Sequence, residues 1–140
     1  MLIVNLRDGG DEMEAIYESV EKYFKDLRNG CNNLIDCQQL KEKIVAGEKL
    51  FLLDIRKKED YDKGHIEGAF HAEWPEVWDF IQEGVFRKDE KIIVICYTGQ
   101  TAGQTVSILK ILGYDACSLK GGMNNGWNKE DMPIQASCST

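Results

Sequence analysis

Two unbroken apolar runs, Leu50-Phe51-Leu52-Leu53-Asp54-Ile55 and Ile92-Ile93-Val94-Ile95, stand out along the chain. Neither alternates with polar residues, so both read as strands covered on two faces. Elsewhere the apolar positions follow a helical period. Met13, Ile16, Tyr17, Val20, Phe24 and Leu27 recur three and four apart and predict one amphipathic helix over residues 12–29. Asp11, with Glu14 three residues on, reads as its capping box, and Asn29-Gly30 as its end. Asp36 caps a shorter helix over residues 37–46, stopped by Gly47. Residues 69–72 form a weaker strand candidate, and Pro75 opens a helix carrying Val77, Trp78 and Ile81. From about Thr101, Ala102, Val106, Leu109 and Leu112 make the inner face of a helix that Gly113 ends. Residues 114–119 read as a last strand, and Gly121-Gly122 leads into a turn around Trp127. Trp74, Trp78 and Trp127 are all expected in the core.

Strands alternating with helices imply an α/β fold, an open parallel sheet flanked by helices on both faces. Residues 1–32 form an N-terminal helical extension, residues 33–132 the main domain, and residues 133–140 a polar, frayed tail. Ligands of such sheets bind outside the carboxyl ends of the strands. Asp54, Arg56, Cys96 and Lys120 all fall at or just past such ends. Cys96 is the sharpest of these. It closes a strand and precedes a loop of small and polar residues, Tyr97-Thr98-Gly99-Gln100-Thr101, that opens a helix. Unpaired amides and the helix dipole favour negative charge there, so thiolate character and nucleophilicity are expected of this thiol.

The chain has 140 residues, 43% of them hydrophobic, and a formal net charge of -7. That balance describes a globular protein and excludes nucleic-acid backbones and anionic membranes as general partners. An anionic substrate would have to be held by local groups. Five cysteines, an odd number, read as reduced thiols in a cytoplasmic protein. Met1-Leu2-Ile3-Val4-Asn5-Leu6 has no basic leader and is too short for a signal peptide or membrane span. Cys31, Cys37, His65 and His71 lack metal-ligand spacing, so no metal and no cofactor is expected.

With these motifs in order, the sequence resembles the rhodanese-like sulfurtransferase family. Leu52-Leu53-Asp54-Ile55-Arg56 with Glu59-Asp60-Tyr61, then Gly64-His65-Ile66-Glu67-Gly68-Ala69, is similar to its first signature. Cys96 to Gly99 is similar to its active-site loop, and Gly121-Gly122 with Trp127 to its closing element. The resemblance spans roughly residues 33–130. It implies transfer of sulfane sulfur from thiosulfate or another persulfide donor, through a Cys96 persulfide, to cyanide or a thiol, including a thiol on an acceptor protein. The amides of Tyr97, Thr98, Gly99, Gln100 and Thr101 would form the anion-binding nest, with hydroxyl help from Thr98 and Thr101.

Simpler roles are expected of the supporting residues. Asp54 holds loops, with Arg56 as its partner; His65 fixes a turn; Cys117 is inert; Cys138 is the one other thiol considered for a sulfur or disulfide role. The sequence departs from the family at Thr101, where many catalytic members carry Arg or Lys. A neutral residue weakens the case for a thiosulfate dianion more than that for sulfur transfer, unless Lys120 or Arg56 compensates. Two other readings compete. A phosphatase or arsenate reductase needs an arginine closing the loop, and neither Thr101 nor Ala102 supplies it. A non-catalytic binding or sulfur-carrier module would keep the shape without the turnover.

Overall fold

The computed structural model describes residues 10–137. Met1–Leu6 and Cys138, both singled out in the sequence, lie outside the described residues. The first helix, α1 (Gly10–Arg28), starts earlier than expected, which places Asp11 inside its first turn instead of at the cap. There the carboxylates of Asp11 and Glu12 meet the positive end of the helix dipole. A two-residue strand β1 (Leu34–Ile35) follows, then α2 (Cys37–Val45), capped as predicted by Asp36. The Asp36 carboxylate accepts the Gln39 amide at 2.7 Å while Gln39 Oε1 accepts the Asp36 amide at 3.0 Å.

The remaining elements are β2 (Leu50–Asp54), α3 (Lys58–Lys63), β3 (Phe70–His71), a 3₁₀ turn (Trp74–Glu76) running into α4 (Val77–Gln82), β4 (Lys91–Ile95), α5 (Gln100–Ile111), β5 (Ala116–Leu119) and a π-helical turn (Gly122–Trp127). All five strands are parallel, in the order β1-β5-β4-β2-β3. The expected α/β architecture is therefore present. From β2 the chain moves outward to β3, and from β4 it moves the other way to β5. The carboxyl ends of β2 and β4 thus flank the topological switch point, where open α/β sheets bind their ligands.

Two apolar layers explain why β2 and β4 lack polar alternation. Ile93 and Ile95 face Leu40 of α2, with Ile66, Met123 and Trp127. Ile92, Val94 and Cys96 face Val77 of α4, Phe86, and Ala102, Val106 and Leu109 of α5. Leu112 does not join them; it is exposed, and Thr105 takes the inward place, its hydroxyl donating to the Thr101 carbonyl at 2.9 Å. Trp127 is buried, but Trp74 and Trp78 are exposed, contrary to expectation. Trp74 opens the 3₁₀ turn, which buries no side chain, and Trp78 lies on α4, whose one buried side chain is Val77.

Residues 133–137, expected to fray, are tied to the domain. His65 and Gln135 exchange both backbone hydrogen bonds, at 2.9 and 2.7 Å, and the Ser137 amide donates to the Asp62 carbonyl at 2.9 Å. The buried Trp127 indole N–H donates to the Pro133 carbonyl at 2.7 Å. No described helix is long and apolar enough to cross a membrane.

Candidate active site

Cys96 follows the central strand β4, and its side chain alternates to the α5 side of the sheet. The thiol is 2% exposed. Its sulfur accepts the amide of Gly99 at 3.0 Å and the amide of Ala102 at 3.3 Å. Gly99 caps α5 with φ 100°, a left-handed conformation that costs glycine little and other residues more. Two N–H dipoles at the amino end of a twelve-residue helix thus converge on one sulfur, an arrangement that stabilises negative charge.

Of the five loop residues expected to supply amides, Gly99 bonds the sulfur. The second donor, Ala102, was outside the expected set. Its role was hidden because it also reads as a core residue of α5, and it is both. Thr98 and Gln100 are exposed, and Thr101 is half-buried in the first turn of α5. Tyr97 turns away from the sulfur: its hydroxyl donates to Asp60 at 2.5 Å and accepts the Lys57 amide at 3.1 Å. Burial, and then the bond to Asp60, hold the Tyr97 phenol above its usual range. Tyr97 therefore fastens the cysteine loop to α3.

The loop is clamped from its other side by the Gly-Gly element. The Met123 amide donates to the Cys96 carbonyl and the Asn124 amide to the Tyr97 carbonyl, both at 2.8 Å. Because the peptide unit is planar, these two bonds fix the orientation of the amides of Tyr97 and Thr98 as well. Gly122 makes the approach feasible. A Cβ there would lie 2.5 Å from the Cys96 carbonyl oxygen, so no other residue fits without moving the loop. Met123 and Asn124 act through their backbone, which explains why their side-chain identities gave no signal.

Asp54 and Arg56 form the expected pair at the end of β2. Asp54 is fully buried and Arg56 is 5% exposed. Arg56 Nη2 donates to Asp54 Oδ2 at 2.9 Å, Nε to Oδ1 at 3.1 Å, and Nη2 also to the Gly64 carbonyl at 2.8 Å. With its donors so engaged, Arg56 braces the β2 end and the Gly64 turn. His65 stacks on Tyr61 with ring centroids 3.8 Å apart and places Nδ1 2.8 Å from the Tyr61 carbonyl. It fixes a turn, as expected. Lys120 is exposed; its amide donates to the Ile35 carbonyl.

The other described thiols are Cys31, which is exposed, and Cys37 and Cys117, which are buried. Burial, reinforced by Glu130 and Asp36, pushes Cys37 up to about 11, and burial raises Cys117. Such thiols stay protonated and poorly nucleophilic. A concavity of about 640 Å³ opens near Cys31, Lys91 and Lys110 at the amino end of the sheet. Size alone does not outweigh the chemistry at Cys96. Among the described residues no cluster of metal-ligating side chains occurs.

A buried cysteine whose sulfur faces helix-terminal amides, at the switch point of a parallel α/β sheet, is the arrangement of a class of candidate cysteine-based anion sites. Comparison with known proteins gives the class a family. The rhodanese-like domain family matches residues 21–130, and the chain belongs to it. It is 33% identical over 95 residues to thiosulfate sulfurtransferase GlpE of Actinobacillus pleuropneumoniae, covering 67% of this chain and 85% of that one. A rhodanese-related protein from Thermoplasma volcanium superposes with a TM-score of 0.65 at 25% identity, over 74% of this chain and 97% of the other. A rhodanese-like domain protein from Staphylococcus aureus gives 0.67 at 24% identity, over 76% and 99%.

Proposed function

We propose that the chain is a sulfurtransferase that carries sulfane sulfur as a persulfide on Cys96. The observation supporting this reading is the pair of amides, from Gly99 and Ala102, directed at the Cys96 sulfur. In the first half-reaction the Cys96 thiolate attacks the outer sulfur of thiosulfate. A Cys96–sulfur bond forms, the sulfur–sulfur bond of the donor breaks, and sulfite leaves with the electron pair. The terminal persulfide sulfur keeps one negative charge, which the loop amides stabilise. In the second half-reaction a thiolate or cyanide takes that outer sulfur and returns the Cys96 thiolate. Charge and sulfur balance in both steps with no external oxidant. The same chemistry admits a protein persulfide as donor, which fits the neutral Thr101 better than a dianion does.

Intact mass after incubation with thiosulfate, and separately with a low-molecular-weight persulfide, tests the proposal. A gain of one sulfur atom is expected, removed by cyanide and absent in Cys96→Ser. No Cys96-dependent adduct with any donor would overturn it. An adduct formed without turnover would favour the sulfur-carrier alternative.

A further inference from the structure

Apart from the half-buried Val20, the apolar stripe of α1 is left outside the fold. Met13, Ile16, Tyr17, Phe24 and Leu27 are all exposed, Ile16 at 53% and Phe24 at 54%. At 100° per residue they share one sector of the helix. The edge of the helix next to Ile16 holds α1 in place: the Tyr23 hydroxyl lies 2.8 Å from Ser107 Oγ on α5 and accepts from Asn33 Nδ2 at 3.2 Å. Five large apolar side chains aligned on one exposed helix face mark an interaction surface.

The charges on the flank next to the stripe identify its occupant. At 100° per residue Glu14, Glu21, Lys25 and Arg28 share that flank, whereas Asp11, Glu18 and Lys22 point to the opposite face. Along this flank the two carboxylates precede the two cations. A second copy laid parallel would set like charges against like. Laid antiparallel, each acidic half meets a basic half, and the same patch serves both partners as a two-fold interface requires. We infer that α1 is a dimerisation helix that pairs antiparallel with α1 of a second copy. The net charge of -7 opposes less ordered self-association, so the pairing depends on this orientation.

Sedimentation equilibrium of the full chain is expected to show a dimer. Ile16→Glu combined with Phe24→Glu should raise its dissociation constant about a hundredfold, since each removes a central apolar anchor. Both side chains are exposed, so the circular dichroism spectrum should stay unchanged and would report any loss of fold. Carbodiimide coupling of lysine to carboxylate, mapped by mass spectrometry, reads the orientation. Glu14 and Lys25 are about 16 Å apart along one helix, so a bond between them joins two copies. A monomeric wild type would overturn the inference and leave the stripe to a different partner. So would a dimer unaffected by the double substitution, or coupling confined to like ends of the helices.

Discussion

Burial does not distinguish Cys96 from Cys37, since both are almost fully enclosed. What surrounds each sulfur does. Cys96 faces two backbone amides, whereas Cys37 lies near the carboxylates of Glu130 and Asp36. Burial, reinforced by these carboxylates, therefore keeps the Cys37 thiol from ionising until about pH 11. Its unfolded counterpart ionises near pH 9.0, as an ordinary thiol does. Below that pH both states are protonated and the contribution of Cys37 to stability is complete. As pH rises towards 11 the unfolded chain releases its proton first, so stability is lost across this window. The loss attributable to Cys37 is roughly 2–3 kcal/mol. Urea unfolding of the wild type and Cys37→Ala between pH 8 and 11 checks this. The wild type should lose stability more steeply than the variant, whatever the variant's baseline. Parallel curves would show that Cys37 ionises in the folded protein as easily as in the unfolded chain.

At the scale of elements, the proposed sulfur transfer makes the loop between β4 and α5 the part that would select the donor. Its last position, Thr101, stands in the first turn of α5 and is half-buried. Arg56 is engaged by Asp54 and Gly64 and has little capacity left for an incoming dianion. Thr101→Arg should therefore raise kcat/KM for thiosulfate roughly tenfold, about the effect of one charge-assisted hydrogen bond. The gain should appear mainly as a lower KM, against a small stability cost from a cation at a helix amino end. A steady-state assay with thiosulfate and cyanide decides it. An unchanged or lower rate would show that missing charge does not limit this donor. The elements that set this geometry differed in how legible they were in the sequence. β2 and β4 were clear because both their faces are buried. β1 is only two residues long, and α3 has no buried side chain, so neither leaves an apolar period to detect. The second amide donor, Ala102, was masked by its core position. The clamp by Met123 and Asn124 was masked because backbone groups make it.

At the scale of the whole molecule, the chain's end closes a path that leads back to the site. Ile134 packs against Gly64, where a Cβ would lie 2.7 Å from the Ile134 side chain. The Gly64 carbonyl accepts from Arg56, and Arg56 braces Asp54 beside the switch point. None of this could be read from the tail's polar composition, because its partners lie some seventy residues away at His65 and Asp62 or in a buried indole. The family match stops at residue 130, so this closure lies beyond it. Removing residues 133–140 deprives the buried Trp127 N–H of its acceptor and exposes the Gly64 turn. The expected cost is about 2–3 kcal/mol, dominated by the unsatisfied donor. For a domain of this size that lowers Tm by about 10 °C. Gln135→Pro tests the bridge alone, because it removes the amide that donates to the His65 carbonyl. It should produce a smaller fall in the same direction. Differential scanning calorimetry of the three proteins measures both effects. Equal melting temperatures would mean that the tail rests on the domain without stabilising it.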